Sequence, residues 1–83
     1  MAKLSSRSIL YFQHQNGPSA VLVSATEFNN VNGIEGNKLY NVTVIDGMDT
    51  VRHQPATLAE ATLIAENAVA KFIAALAFVY VPE

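Results

Sequence analysis

The feature that most constrains this fold is a long amphipathic stretch at residues 57–77. Thr57 is placed to accept a hydrogen bond from a backbone N–H three residues on, and Glu60 lies where the helix dipole favours a carboxylate. The interior contains neither Gly nor Pro, so intrinsic propensity also favours a helix. One broad apolar arc is formed by Leu58, Ala61, Ala65, Ala68, Val69, Phe72 and Leu76. The stretch therefore predicts a helix that covers a core.

Two segments before this helix have the patterns of strands. Residues 19–28 are rich in β-branched side chains, and residues 38–46 alternate, with Tyr40, Val42 and Val44 on one face. A polar loop rich in Gly and Asn connects the two segments. The pattern predicts two strands that each place an apolar face against the helix.

A tight turn follows the second of these strands. The sequence Asp46-Gly47-Met48-Asp49 is typical of a hairpin turn, and residues 50–54 then return as a short third strand. Asp46 and Asp49 are paired carboxylates, but the turn accounts for both of them because Asp favours such positions.

The first element, residues 6–15, fits either a helix or a strand. Its Ile-Tyr-Phe content favours a strand, whereas Gly17-Pro18 after it is typical of a helix stop, and we favour the helix. The fold class is then α+β, with a small antiparallel three-stranded sheet packed by the C-terminal helix in the order α-β-β-β-α. The alternative is β-β-β-β-α. We expect one domain over residues 1–83, with a structured core at 5–78.

Composition narrows the function classes. The chain has 83 residues, a formal net charge of −2 and no cysteine, so disulfides, cysteine zinc sites and thiol catalysis are excluded. His14 and His53 lack the spacing of metal ligands, and no nucleophile, base and oxyanion donors can be assembled. We therefore expect no enzyme, no cofactor, no metal and no membrane segment, in an intracellular protein of the cytoplasm or nucleus.

The order of elements, the Gly-bearing loop, the strand ending in Asp46-Gly47 and the Ala-rich final helix together resemble a double-stranded-RNA-binding domain. The resemblance runs from about residue 5 to residue 77. It implies that residues 39–47 are the middle strand and its turn. It also implies that Ala61 and Ala65 are helix alanines that pack on the sheet.

The residues with which that family contacts RNA are replaced in this chain. The family's last helix starts with Lys-Lys-x-Ala-Lys, and the matching positions here are Leu58, Ala59, Ala61 and Thr62, so the alanine is kept and the lysines are absent. The family's Gly-Pro-x-His loop has lost its proline and histidine. Since duplex RNA is read mainly through phosphate and 2′-hydroxyl contacts, the resemblance implies a degenerate member that binds proteins, often by dimerising.

A strip of the helix on the side away from the core is the predicted contact surface. Leu63, Ala70, Ala74 and Phe78 are the residues that we expect to meet a protein partner or a second copy of the chain. The alternative is that the chain's own sheet wraps far enough round the helix to cover them.

Two other functions are open from the sequence. Weak binding of double-stranded RNA predicts that Asn32, Lys38, Arg52 and His53 cluster in space. A small viral or bacterial structural protein predicts that a strand replaces the first helix.

Overall fold

A four-stranded antiparallel sheet and one long helix make up the computed structural model, which describes residues 2–16 and 19–79, and of residues 16, 19 and 75–79 the backbone only. The elements follow in chain order as β1 (Ser5–Asn16), β2 (Ser19–Asn29), a 3₁₀ turn (Val31–Gly33), β3 (Leu39–Asp46), β4 (Asp49–His53) and α1 (Leu58–Val79). The strands lie side by side in the order of the sequence, so β1 and β4 are the two edges. The α+β class is confirmed.

The first element is a strand, so the helix that we favoured was wrong and the four-stranded alternative is correct. Strand β1 pairs with β2 from Ser5 to Asn16, with one irregularity between Ser8 and Leu10. In this register Leu10 and Phe12 lie beside Ala25 and Val23 of β2, so they extend the buried layer of the sheet. Tertiary packing of these two side chains outweighs the local helix signals. Gly17 and Pro18, which favoured the helix, lie outside the described residues.

The other three strands form as predicted. Strands β2 and β3 pair from Val21–Asp46 to Phe28–Leu39, and Tyr40 and Val42 are buried. The predicted turn joins β3 to β4, since Asp46 pairs with Asp49 and leaves two residues between them. Gly47 has a φ of 61°, a conformation that L-residues rarely adopt, so its position favours glycine.

Helix α1 begins where the sequence predicts. The backbone N–H of Glu60 donates to the Thr57 hydroxyl at 3.2 Å, which is the predicted cap. The helix packs mainly on β2 and β3. We call this side of the sheet the helix face and the opposite side the open face. Among the described residues no helix is long and apolar enough to cross a membrane.

The core lies between α1 and the centre of the helix face. The buried apolar side chains described there are small apart from one tyrosine: Val23, Ala25, Tyr40, Val42, Ala61 and Ala65. Half-buried residues surround them, namely Ile9, Leu10, Phe12, Val44, Ile64, Ala68, Val69 and Phe72. The predicted arc of α1 thus faces the sheet, except that Leu58 is partly exposed at the helix start and the side chain of Leu76 lies outside the described residues.

Candidate interaction surfaces

The side of α1 that points away from the sheet carries exposed apolar side chains. Leu63 is 60% exposed and Ile73 is 52% exposed, and Ala70 and Ala74 are exposed between and beside them. We call these four residues the outer face of α1. Three of the four predicted contact residues, Leu63, Ala70 and Ala74, therefore lie in solvent, and the chain's own sheet does not cover them. The side chain of Phe78, the fourth predicted contact, lies outside the described residues.

The spacing of residues along α1 explains why the two faces separate so clearly. Ala61, Ala65 and Phe72 point to the sheet, and Leu63 and Ala70 lie roughly half a turn away from them. Because Ala61 and Ala65 have no bulk beyond Cβ, the helix lies close to the sheet. Close packing fixes the orientation of α1, and the outer face is held towards solvent as a consequence. Sequence reasoning did not predict Ile73 as a contact residue, because it lies at the border of the helix side that carries Leu63 and Ala70.

The four candidate RNA-contacting residues do not share a surface. Lys38 immediately precedes β3, and its ammonium group is 3.6 Å from the Glu27 carboxylate. Arg52 and His53 are neighbours in β4, so their side chains point to opposite faces of the sheet. Arg52 is opposite Thr43 on the open face, and His53 is opposite Val42 on the helix face. Asn32 lies in the 3₁₀ turn of the β2–β3 connection.

A buried carboxylate holds two cations at one end of the helix face. Glu27 is 8% exposed, and its Oε1 atom lies 3.4 Å from the Arg7 guanidinium and 3.6 Å from the Lys38 ammonium. These groups line a cleft of about 550 Å³, together with Tyr40 and the first helical residue, Leu58. One carboxylate balances only one of the two cations, so the cleft keeps a single uncompensated positive charge, which is little for binding a phosphate backbone.

Sequence reasoning missed Glu27 as a structural residue. Its signal was present, because Glu27 has the same strand parity as Val23 and Ala25, the buried residues of β2. A charged residue at a position of that parity predicts an ion pair across the strand. The two partners come from β1 and from the start of β3, and pairing in the sheet brings them together.

A groove beside α1 is lined in part by charged residues of the β3–β4 hairpin. It measures about 360 Å³ and is lined by apolar Val44, Val51, Ile64, Ala68 and Phe72, and by Asp46, Asp49, His53 and Lys71. Within the ranges that the structure describes, no three of the His, Asp and Glu residues are placed to hold a metal ion. Asp46 and Asp49 act as the paired ends of the turn, as expected. Lys71 gives the groove a cation beside these two carboxylates.

Comparison with known proteins finds no match to this chain among family models, curated proteins or solved structures.

Proposed function

We propose that this chain is a non-enzymatic interaction domain that contacts a protein partner or a second copy of itself through the outer face of α1. The observation that carries the proposal is the exposure of Leu63 and Ile73 on a helix whose other side is fixed to the sheet. Exposed apolar side chains on one side of a rigid element are a feature of protein contact surfaces.

The shape of the outer face suits another helix. Ala70 and Ala74 lie between and beside the two larger residues, and small side chains allow two helix axes to approach closely. Leu63 and Ile73 are ten positions apart, so they lie about 15 Å apart along the axis, enough to flank a crossing helix. Glu66 and Asn67 are also exposed on this side of α1, so a partner helix has to leave the Glu66 carboxylate in solvent or pair it with a cation.

Substitution on the outer face tests the proposal. We expect Leu63→Lys and Ala70→Glu each to weaken self-association at least about tenfold, because each change places a charge inside a dry contact. Sedimentation velocity over about 1–200 μM protein measures the association constant. Both positions are exposed, so the circular dichroism spectrum should not change.

Met48→Lys is the matched control. Met48 is fully exposed in the β3–β4 turn, so this variant gains the same charge on a different element and should associate like the wild type. If Leu63→Lys associates as strongly as Met48→Lys, self-association through α1 is wrong.

Weak binding of double-stranded RNA has less support. The chain carries only five Lys and Arg residues, and Arg7 and Lys38 are both paired with Glu27. Titration of a labelled duplex of ~20 base pairs at low and physiological salt tests this alternative. Micromolar binding that weakens steeply with salt would favour RNA over the proposed protein contact.

A structural protein of viral or bacterial origin is the third candidate. That hypothesis expected a strand in place of the first helix, and β1 occupies this position. Self-association through α1 is compatible with such a role, but a strand at this position occurs in many folds and indicates no function by itself.

A further inference from the structure

We propose that the outer edge of β1 is a second association site, at which β1 of another copy pairs antiparallel and continues the sheet. This inference is independent of the outer face of α1. It follows from the length, the charge and the residue pattern of one edge strand.

Strand β1 presents a long backbone edge. It has 12 residues and is hydrogen-bonded to β2 on one side, and no described residue pairs with it on the other. Unpaired N–H and C=O groups in a row can template another strand. Arg7 is the one Lys, Arg, Asp or Glu residue of β1, and its charge is paired with Glu27. The edge is therefore long and nearly free of charge.

Strand β4, the opposite edge, has the features that usually protect an edge strand from pairing with other chains. Strand β4 has five residues, and Asp49, Arg52 and His53 make up most of its side chains. Short, charged edge strands resist pairing with other chains. The contrast between the two edges of one sheet points to β1 as the edge at which the sheet can be extended.

The residue pattern of β1 selects a second copy as the occupant. Four apolar or aromatic residues at 9–12 are flanked by polar residues at 5–8 and again at 13–16. Such a near-symmetric pattern matches itself when the strand is reversed. With Tyr11 on a two-fold axis, Leu10 lies beside Phe12 of the other copy on the helix face, and Tyr11 meets Tyr11 on the open face.

The same register separates the charges. Each Arg7 then lies near one end of the paired strands, opposite His14 of the other copy, so the two guanidinium groups are far apart. Ile9 is an extra residue in β1, and it shifts the pairing by one position. Arg7, four positions before Tyr11, therefore lies opposite His14, three positions after it, and both side chains belong to the helix face. Like charges do not oppose each other in this arrangement.

Pairing would cover the part of the core that β1 contributes. Leu10 and Phe12 pack against the core but remain half-buried, because α1 lies over β2 and β3 rather than over β1. A second copy would cover these side chains with its own Phe12 and Leu10. The ladder would add on the order of eight backbone hydrogen bonds, within the number that stable protein interfaces carry.

The dimer leaves the outer face of α1 free. A two-fold axis perpendicular to the sheet places both helices on the same side, so both outer faces point to solvent together. If two such dimers met through those faces, the assembly would close as a tetramer. The two contacts are then separable, since variants in α1 affect one and variants in β1 affect the other.

Single cysteine variants test the register, because the chain has no cysteine of its own. In the proposed dimer the two Cα atoms of residue 11 are about 4.5–5.5 Å apart, within the range of a disulfide. Tyr11 is 62% exposed, so Tyr11→Cys should fold. We expect it to cross-link under mild oxidation at least tenfold faster than Gln15→Cys.

Gln15→Cys and Thr50→Cys are the controls. Gln15 is exposed on the same strand and face as Tyr11, but in this register its two copies are about 27 Å apart. Thr50 is exposed on the other edge strand. Equal cross-linking rates for Tyr11→Cys and either control would overturn the proposal.

A charge at the axis provides an independent measurement. Tyr11→Lys places two ammonium groups opposite each other, so we expect association through β1 to weaken at least tenfold in sedimentation velocity. Leu63→Lys should leave this step unchanged, whereas it removes the contact proposed for α1. A Tyr11→Lys variant that associates like the wild type would overturn the β1 site. If Leu63→Lys loses association and Tyr11→Lys does not, the chain associates through the outer face of α1 and not through β1.

Discussion

At the scale of single residues, Glu27 links three strands that are distant in the sequence. Its carboxylate lies on β2 and contacts Arg7 of β1 and Lys38, the residue that precedes β3. Both cations are partly exposed, so solvent screens each pair and its stabilisation is modest. The burial of the carboxylate means that it depends on these partners more than they depend on it.

Glu27→Gln should lower the free energy of unfolding by about 1 kcal/mol, because it removes the attraction to two cations and keeps the side-chain shape. Urea denaturation measures this loss. The loss should shrink in 1 M salt, where the Debye length is about 3 Å. Glu35→Gln, in the exposed β2–β3 connection, is the control and should stay within about 0.5 kcal/mol of the wild type. A loss that grows with salt would contradict the ion-pair explanation.

At the scale of elements, the contact of α1 with the sheet depends on two alanines. Ala61 and Ala65 are fully buried and let the helix lie close over the valines of β2 and β3. Alanine is also the best helix former, so the same residues serve the local structure and the packing. The helix start adds a further local signal through the Thr57 cap.

Ala65→Leu should destabilise the protein by about 1–3 kcal/mol, because the added side chain has no room between helix and sheet. Ala59→Leu makes the same change at an exposed position of α1 and should be close to neutral. Thermal or urea denaturation compares the two variants. If both lose the same stability, then helix propensity, rather than packing against the sheet, explains the effect.

Sequence reasoning predicted most elements and one of the two proposed contact surfaces. The faces of β3 and α1 follow from periods of two and 3.6 residues, which the sequence shows directly. The β1 edge was missed because an edge exists only relative to a sheet. Glu27 was missed because its partners are 20 and 11 positions away in the sequence.

At the scale of the whole molecule, the described core is small for 83 residues. Its largest fully buried side chains are two valines, Val23 and Val42. Small domains bury a limited share of their surface, so association can supply part of their stability. The two proposed contact surfaces would each cover apolar side chains that the single chain leaves exposed.

The apparent Tm should therefore rise with protein concentration. Mass action predicts a rise of roughly 5 °C over a hundredfold increase in concentration for a dimer of this size. Differential scanning calorimetry of the wild type and of the Tyr11→Lys, Leu63→Lys double variant compares the two cases. The Tm of the double variant should be the same at every protein concentration. A wild-type Tm that is independent of concentration would contradict both association sites.

The sequence by itself determined the strands β2, β3 and β4, the hairpin turn at Gly47, and the helix with its two faces. Each of these is encoded by local residues, through periodicity, capping or turn chemistry. Only the tertiary structure decided that residues 5–16 form a strand, because their local pattern fits both conformations. Pairing with β2 placed Leu10 and Phe12 beside the core, and this non-local burial selected the strand.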